Sequence, residues 1–239
     1  MKKYRIDNYG DSTINVQFSE DFTDRSWHLT HSLAKIIKKE CFKWVLNIIP
    51  TYTSILILYD IDKVERKYVI NEIEKKIEIN FESTISMSNN HFYIPVLYGG
   101  DEGPDLNRVA RILNLSEKEV IRLHTASPSQ VLCFSANGQA LMGKSCLPQN
   151  IHRLDTPHTA NKKGSVAVVG NQSTIYPEVQ PGGWNVIGRT PLPVTNINLD
   201  PITPFKVGDW VHYFEINLKE WELYRMNESN FTLWGEDNE

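Results

Sequence analysis

Residues 164–193 read GSVAVVGNQSTIYPEVQPGGWNVIGRTPLP. Apolar runs at 166–169 and 184–188 flank the tetrapeptide Pro181-Gly182-Gly183-Trp184. Glycine accepts positive φ without a Cβ clash and proline presets the approach, so this tetrapeptide predicts a sharp turn that places Trp184. Runs of four or five apolar residues cut by Gly and Pro are too short for helices and read as strands. Such local definition suits a place where backbone approaches a ligand, a partner or another strand closely.

The same punctuation extends in both directions. Apolar segments at 131–134, 174–176, 210–214 and 221–224 share it, and together they predict a β-barrel or sandwich from residue 131 onward. Upstream, residues 91–98 read as a strand, and Leu106, Val109, Ala110 and Leu113 recur at helical spacing. Ser116 and Glu119 form an SxxE capping box that opens a further helix through Val120 and Leu123. The polar stretch 83–90 reads as a linker. Before it, Ile14, Val16 and Phe18 alternate with polar residues as in a half-buried strand. Helical spacing follows over 24–39, then strands at 44–49 and 54–59, then a second helix marked by Ile70, Ile73 and Ile77. That order predicts a sheet covered by helices on one side.

Bulk properties narrow the function classes. The chain has 239 residues and a net charge of −4, which argues against nucleic acid as partner. No apolar run approaches the ~20 residues of a membrane span. The N-terminus lacks a signal-peptide apolar region. Cys41, Cys133 and Cys146 form no CxxC and no framework, which fits a reducing cytoplasm.

Residues 138–145, GQALMGKS, match the phosphate-loop pattern GxxxxGK[ST]. A true phosphate loop must open a helix, whereas Pro148 follows within three residues and the rest of the chain is β, so a loop beside a site is expected instead. His28 and His31 are expected on the surface of the first helix. His124, ending the capped helix, is expected to serve the dipole as a cation. His152 and His158 flank Arg153 in a polar, proline-rich loop, the better candidate for acid–base chemistry. Arg153, Lys162, Lys163 and Arg189 are candidates for an anion-binding concavity, with the two lysines reading more simply as surface charges. No histidine or cysteine spacing suggests a metal site, and no nucleophile elbow is present.

Several stretches resemble one known family. They are Gly10-Asp11, Pro50-Thr51-Tyr52-Thr53-Ser54, Tyr59-Asp60, Tyr98-Gly99 with Gly103-Pro104-Asp105-Leu106, and Leu123-His124-Thr125. Above all there is the GSV, QxxIYP, PGGW and IGRTP combination within 164–191. Nearly end to end, the chain is similar to the B-type subunits of bacterial 5-oxoprolinase, a group that includes the kinase inhibitor KipI and the first subunit type of allophanate hydrolase. The resemblance implies an α+β protein, with a small N-terminal α/β sandwich at 1–85 and a C-terminal cyclophilin-like β-barrel at 91–228. It implies ATP with Mg as cofactor, and A- and C-type subunits as partners, in a complex that opens 5-oxoproline to glutamate and is active only when assembled. Two other roles follow from the same group: an inhibitor of a sensor histidine kinase, and a paralogous subunit acting on another amide or urea-like substrate. Carried over, the ligand site comprises Arg153, Gln172, Tyr176, Gly182, Gly183, Trp184, Arg189 and Thr190, with His158 as a catalytic candidate. The family's two-arginine pattern is altered here: Arg153 holds the first position and His158 stands at the second.

Overall fold

The computed structural model describes residues 4–80, 87–135, 139–148, 150–226 and 233. Contacts divide the chain into two compact units, Met1–Ser86 and Met87–Glu239.

In the first unit, strands β1 (Arg5–Asn8), β2 (Thr13–Gln17), β3 (Val45–Pro50) and β4 (Ser54–Tyr59) form one antiparallel sheet in the order β1-β2-β4-β3. Helices α1 (Asp24–Glu40) and α2 (Arg66–Asn80) complete it. Period-2 alternation puts Ile14, Val16, Ile55, Ile57 and Tyr59 on the face that meets Leu33 and Ile37 of α1 and Val69, Ile73 and Ile77 of α2. Thr23 caps α1 by accepting from Ser26 N, and Cys41 ends it in the left-handed region at φ 51°. His31, expected at the surface, is buried against Trp27, with ring centroids 5.0 Å apart; His28 is half-buried. The expectation fails because α1 buries Ser26, Trp27, Thr30 and His31 as well as its apolar stripe.

The second unit begins with β5 (His91–Tyr98), a 3-10 turn at Gly100–Glu102, α3 (Leu106–Leu113) and α4 (Glu117–Thr125). Strands β6 (Ser129–Phe134), β7 (Leu141–Lys144), β8 (His158–Asn161), β9 (Ser165–Val169), β10 (Gln172–Ile175), β11 (Gln180–Gly182), β12 (Asn185–Arg189) and β13 (Trp210–Glu215) follow, then α5 (Leu218–Met226). Seven strands close a barrel in the order β10-β7-β6-β13-β5-β12-β9, with β10 pairing back onto β9. β8 and β11 form a separate two-stranded ribbon. All barrel neighbours are antiparallel except β13 and β5, which run parallel from Trp210↔His91 to Glu215↔Val96. The inward residues Ile94, Val96, Val131, Val166, Val168, Ile175, Ile187 and Val211 fill the interior, and α3 and α4 add Leu106, Val109 and Val120. The protein is thus α+β with a cyclophilin-like barrel.

Three readings are corrected. Residues 221–224 are helical within α5, where Asn217 Oδ1 accepts from Lys219 N and Glu220 N while Glu220 accepts from Asn217 N. That reciprocal cap starts a helix where the apolar run alone suggested a strand. Second, Pro181-Gly182-Gly183-Trp184 is not a positive-φ turn: Gln180–Gly182 is β11, and neither glycine lies in the left-handed region. Third, His124 is not a cation at a helix end. It lies 3% exposed between Tyr98 and Ser173, and burial drives its pKa down to about 3. Of the linker stretch 83–90, residues 83–86 lie outside the described residues.

Candidate functional site

Asp105 precedes α3 and is fastened to β12 by two bonds to its backbone. Its N–H donates to Val186 O (2.9 Å), and its Oδ2 accepts from Val186 N (2.8 Å). The same carboxylate oxygen accepts from His158 Nε2 at 2.9 Å. A carboxylate can only accept, so this bond fixes the proton on Nε2 and leaves the Nδ1 lone pair of His158 for other work. Asp105 is 8% exposed, whereas His158 on β8 is half-exposed. A buried carboxylate behind a reachable imidazole is an arrangement suited to moving a proton.

His158 borders a cavity of about 100 Å³ together with Glu102, Asn161, Lys162 and Val186. Burial alone would raise the Glu102 carboxyl, but bonds from Lys162 Nζ and Arg189 Nη1, each 3.1 Å, outweigh it and hold the group below the usual carboxylate range.

Gly182 of β11 pairs with His158 of β8. A Cβ on Gly182 would fall 2.1 Å from the Tyr176 hydroxyl, so glycine is required here by close approach rather than by torsion. Tyr176 is bonded to the Trp184 backbone N–H. Burial raises its phenol pKa, and the Asp105 carboxylate adds to this, against the Trp184 bond and the Arg153 charge. Gly183 O accepts from Leu154 N at 2.8 Å, tying the Arg153 loop to the ribbon. Arg108 reaches Asn185 Oδ1 and the backbone oxygens of His152 and Arg153, and Asn185 Nδ2 also donates to His152 O (2.9 Å).

Arg153, Tyr176, Gly182, Gly183 and Trp184 therefore gather beside His158. Arg189 and Thr190 line a different cavity, of about 270 Å³. Gln172 joins neither group. It pairs with Lys144 and Val169 at the far end of β10, roughly 13 Å from Tyr176 along an extended strand. The four cations do not converge as one concavity: Lys163 and Arg189 line the larger cavity, Lys162 borders the smaller one and shares Glu102 with Arg189, and Arg153 sits with Tyr176. Sequence reasoning passes over Asp105, although it stands in the Gly103-Pro104-Asp105-Leu106 stretch. It also passes over Arg108, Glu102 and Asn185, whose partners lie 17 or more residues away.

The residues resembling a phosphate loop do not fit a nucleotide. Leu141–Lys144 is strand β7, with Gly143 opposite Val131 of β6 and Ser173 of β10, and a Cβ there would meet the Ser129 hydroxyl rather than open space. Gly138 lies outside the described residues. Among the described residues no group of three or more His, Cys, Asp and Glu could hold a metal ion, and no helix is long and apolar enough to cross a membrane.

The model of the carboxyltransferase domain, subdomain C and D, matches residues 4–205. The 5-oxoprolinase B subunit of Bacillus subtilis is 30% identical over 239 residues, covering 95% of this chain and 99% of that protein. The crystal structure of a conserved uncharacterized protein from Pyrococcus horikoshii is 30% identical with a TM-score of 0.52, covering 91% of this chain and all 100% of that one. The urea carboxylase of Kluyveromyces lactis superposes with a TM-score of 0.77 at 16% identity, covering 95% of this chain but 23% of the enzyme, a likeness of fold alone. A match over residues 4–205, with similarity along nearly the whole of the Bacillus relative, places this chain in the carboxyltransferase subdomain C and D family.

Proposed function

We propose that this chain is the B-type subunit of an ATP-dependent 5-oxoprolinase complex, working with A- and C-type subunits to convert 5-oxoproline to glutamate. The observation that carries this reading is the 30% identity to a 5-oxoprolinase B subunit over 95% of one chain and 99% of the other. Lactam opening breaks the C5–N bond, adds hydroxyl from water to C5 and delivers a proton to the nitrogen. His158 Nδ1 supplies a group able to take the proton from water and return it to nitrogen, with Asp105 orienting the imidazole through Nε2. Arg153, beside Tyr176, provides positive charge near that imidazole for an anionic substrate or a developing oxyanion. No nucleotide enters these steps, because the described residues of the phosphate-loop-like stretch form strand β7 and do not fit one.

The test is ATP-dependent glutamate release from 5-oxoproline by the chain assembled with its A- and C-type partners. His158→Gln is expected to lower kcat by about 10²–10⁴-fold, the usual worth of a general acid–base group. Asp105→Asn should lower it in the same direction, with the assembled complex unchanged in size. Absence of turnover from a stable wild-type complex would discard 5-oxoproline as substrate. Full activity in His158→Gln would remove the histidine from the chemistry.

A further inference from the structure

The larger cavity lies apart from the His158 cluster, between the 189–193 turn and α5. Lys163, Arg189, Thr190, Pro191, Trp221 and Arg225 line it, and among the described residues no carboxylate does. Three cations around about 270 Å³ of space make a surface of one sign.

The three cations are held differently. Arg189 is fixed: Nε donates to Lys163 O (2.7 Å), Nη1 donates to Glu102 (3.1 Å), and the guanidinium lies 5.5 Å from the Trp221 ring centre. Lys163 and Arg225 are loosely held. Their bridges to Glu178 (3.0 Å) and Glu222 (3.5 Å) are between side chains 42–60% exposed, where an ion pair is worth little and exchanges readily. One anchored cation and two in exposed ion pairs suit the capture of a small anion, with the anchored guanidinium as platform. The other walls are apolar and rigid: Pro191, Pro193, Leu192 and the Trp221 indole, the last only 5% exposed. A bare inorganic anion gains nothing from such walls, whereas a compact ring or short carbon chain does.

From this geometry we infer that the cavity binds the carboxylate of a small organic acid, its carbon skeleton resting on Trp221 and the prolines. Naming 5-oxoproline as the occupant rests on the function proposed above; the anion site itself does not. Arg189 links the two cavities through Glu102, which borders the smaller one beside His158. The two cavities thus border opposite ends of one ion pair, Arg189 on the larger and Glu102 on the smaller.

The experiment is calorimetric titration of the full chain alone, at low ionic strength, with 5-oxoproline, with 2-pyrrolidinone (the same ring without the carboxylate), and with inorganic phosphate. The expected result is millimolar or tighter binding of 5-oxoproline, none of 2-pyrrolidinone, and weaker binding of phosphate. Arg225→Gln and Lys163→Gln should each weaken 5-oxoproline about three- to tenfold, Arg225→Lys should restore most of the loss, and Arg111→Gln on α3 should change nothing. No heat up to about 10 mM 5-oxoproline, or equal binding of 2-pyrrolidinone, overturns the site. Phosphate binding more tightly than 5-oxoproline overturns the carboxylate assignment. Binding that persists when the assembled complex shows no turnover defeats the 5-oxoprolinase reading and leaves the site standing; turnover without binding does the reverse.

Discussion

His124 shows how the barrel interior treats a titratable side chain. Tyr98 Oη lies 2.8 Å from Nδ1, Ser173 Oγ 3.0 Å from Nε2, and Tyr213 stacks at 4.6 Å, so the imidazole is bonded at both nitrogens by neutral hydroxyls. Unfolded, it titrates near 6.5; folded, near 3, because burial penalises the charged form. Protons therefore favour the unfolded chain below pH 6.5, and the stability that this group supplies is present above that value and falls as pH drops toward 3. The expected loss is about 2 kcal/mol between pH 6.5 and 5, read as a falling urea midpoint, and His124→Gln should flatten that slope. His212, lowered by partial burial and then by neighbouring His91, adds in the same direction. A wild-type midpoint constant over this range would refute the buried neutral imidazole. At this scale, sequence offers residue type without environment. His124 reads as a helix-end cation because the strand residue Ser173 and the ring of Tyr213 belong to remote segments. Gly182 stands out in the sequence with good reason, but the cause is the Tyr176 hydroxyl, not a left-handed backbone.

At the scale of elements, the start of α3 is the part on which the candidate site depends. Gly103 N donates to Gly99 O (2.8 Å), and Gly103 O accepts from Leu106 N (3.1 Å), turning the chain from β5 into the helix. A Cβ on Gly103 would fall 2.1 Å from Ile187 O of β12, a backbone atom with nowhere to go. Gly103→Ala should therefore push α3 off β12 and strain the Asp105–Val186 pair two residues later. We expect a stability loss of about 1–3 kcal/mol, the usual range for overpacking, and a fall in turnover of the assembled complex beyond what the destabilisation explains. Denaturation midpoint and kcat, measured on one preparation, separate the two effects. Elements with strong periodicity are legible: the apolar spacing of α1 and α2 and the Ser116–Glu119 box all form as read. α5 is not, because Trp221 to Tyr224 weighs as an apolar run. The Asn217-Glu220 pair, which has the N-cap and N3 spacing of a capping box, is the available signal. The β8–β11 ribbon escapes notice because its strands are short and mostly polar, so alternation carries little information.

For the whole molecule, each compact unit carries its own core. One is built on Ile14, Ile55, Ile57 and Ile73, the other on Ile94, Val131, Val166 and Val211. Every barrel strand comes from the second unit, so residues 87–239 expressed alone are expected to melt in a single cooperative transition with the near-ultraviolet circular dichroism of a packed barrel. A broad, non-cooperative melt would show that the first unit is needed to complete it. The parallel pairing of β5 with β13 sets a timetable for this unit. His91 must wait for Trp210, its register partner, so the barrel stays open at that seam until some 119 further residues have been made. A ribosome at typical speed takes roughly 6–24 s over that interval, and throughout it the parallel edge of β5 is exposed to any other strand in reach. Nascent chains halted before residue 210 should therefore depend on chaperones far more than chains halted after 215.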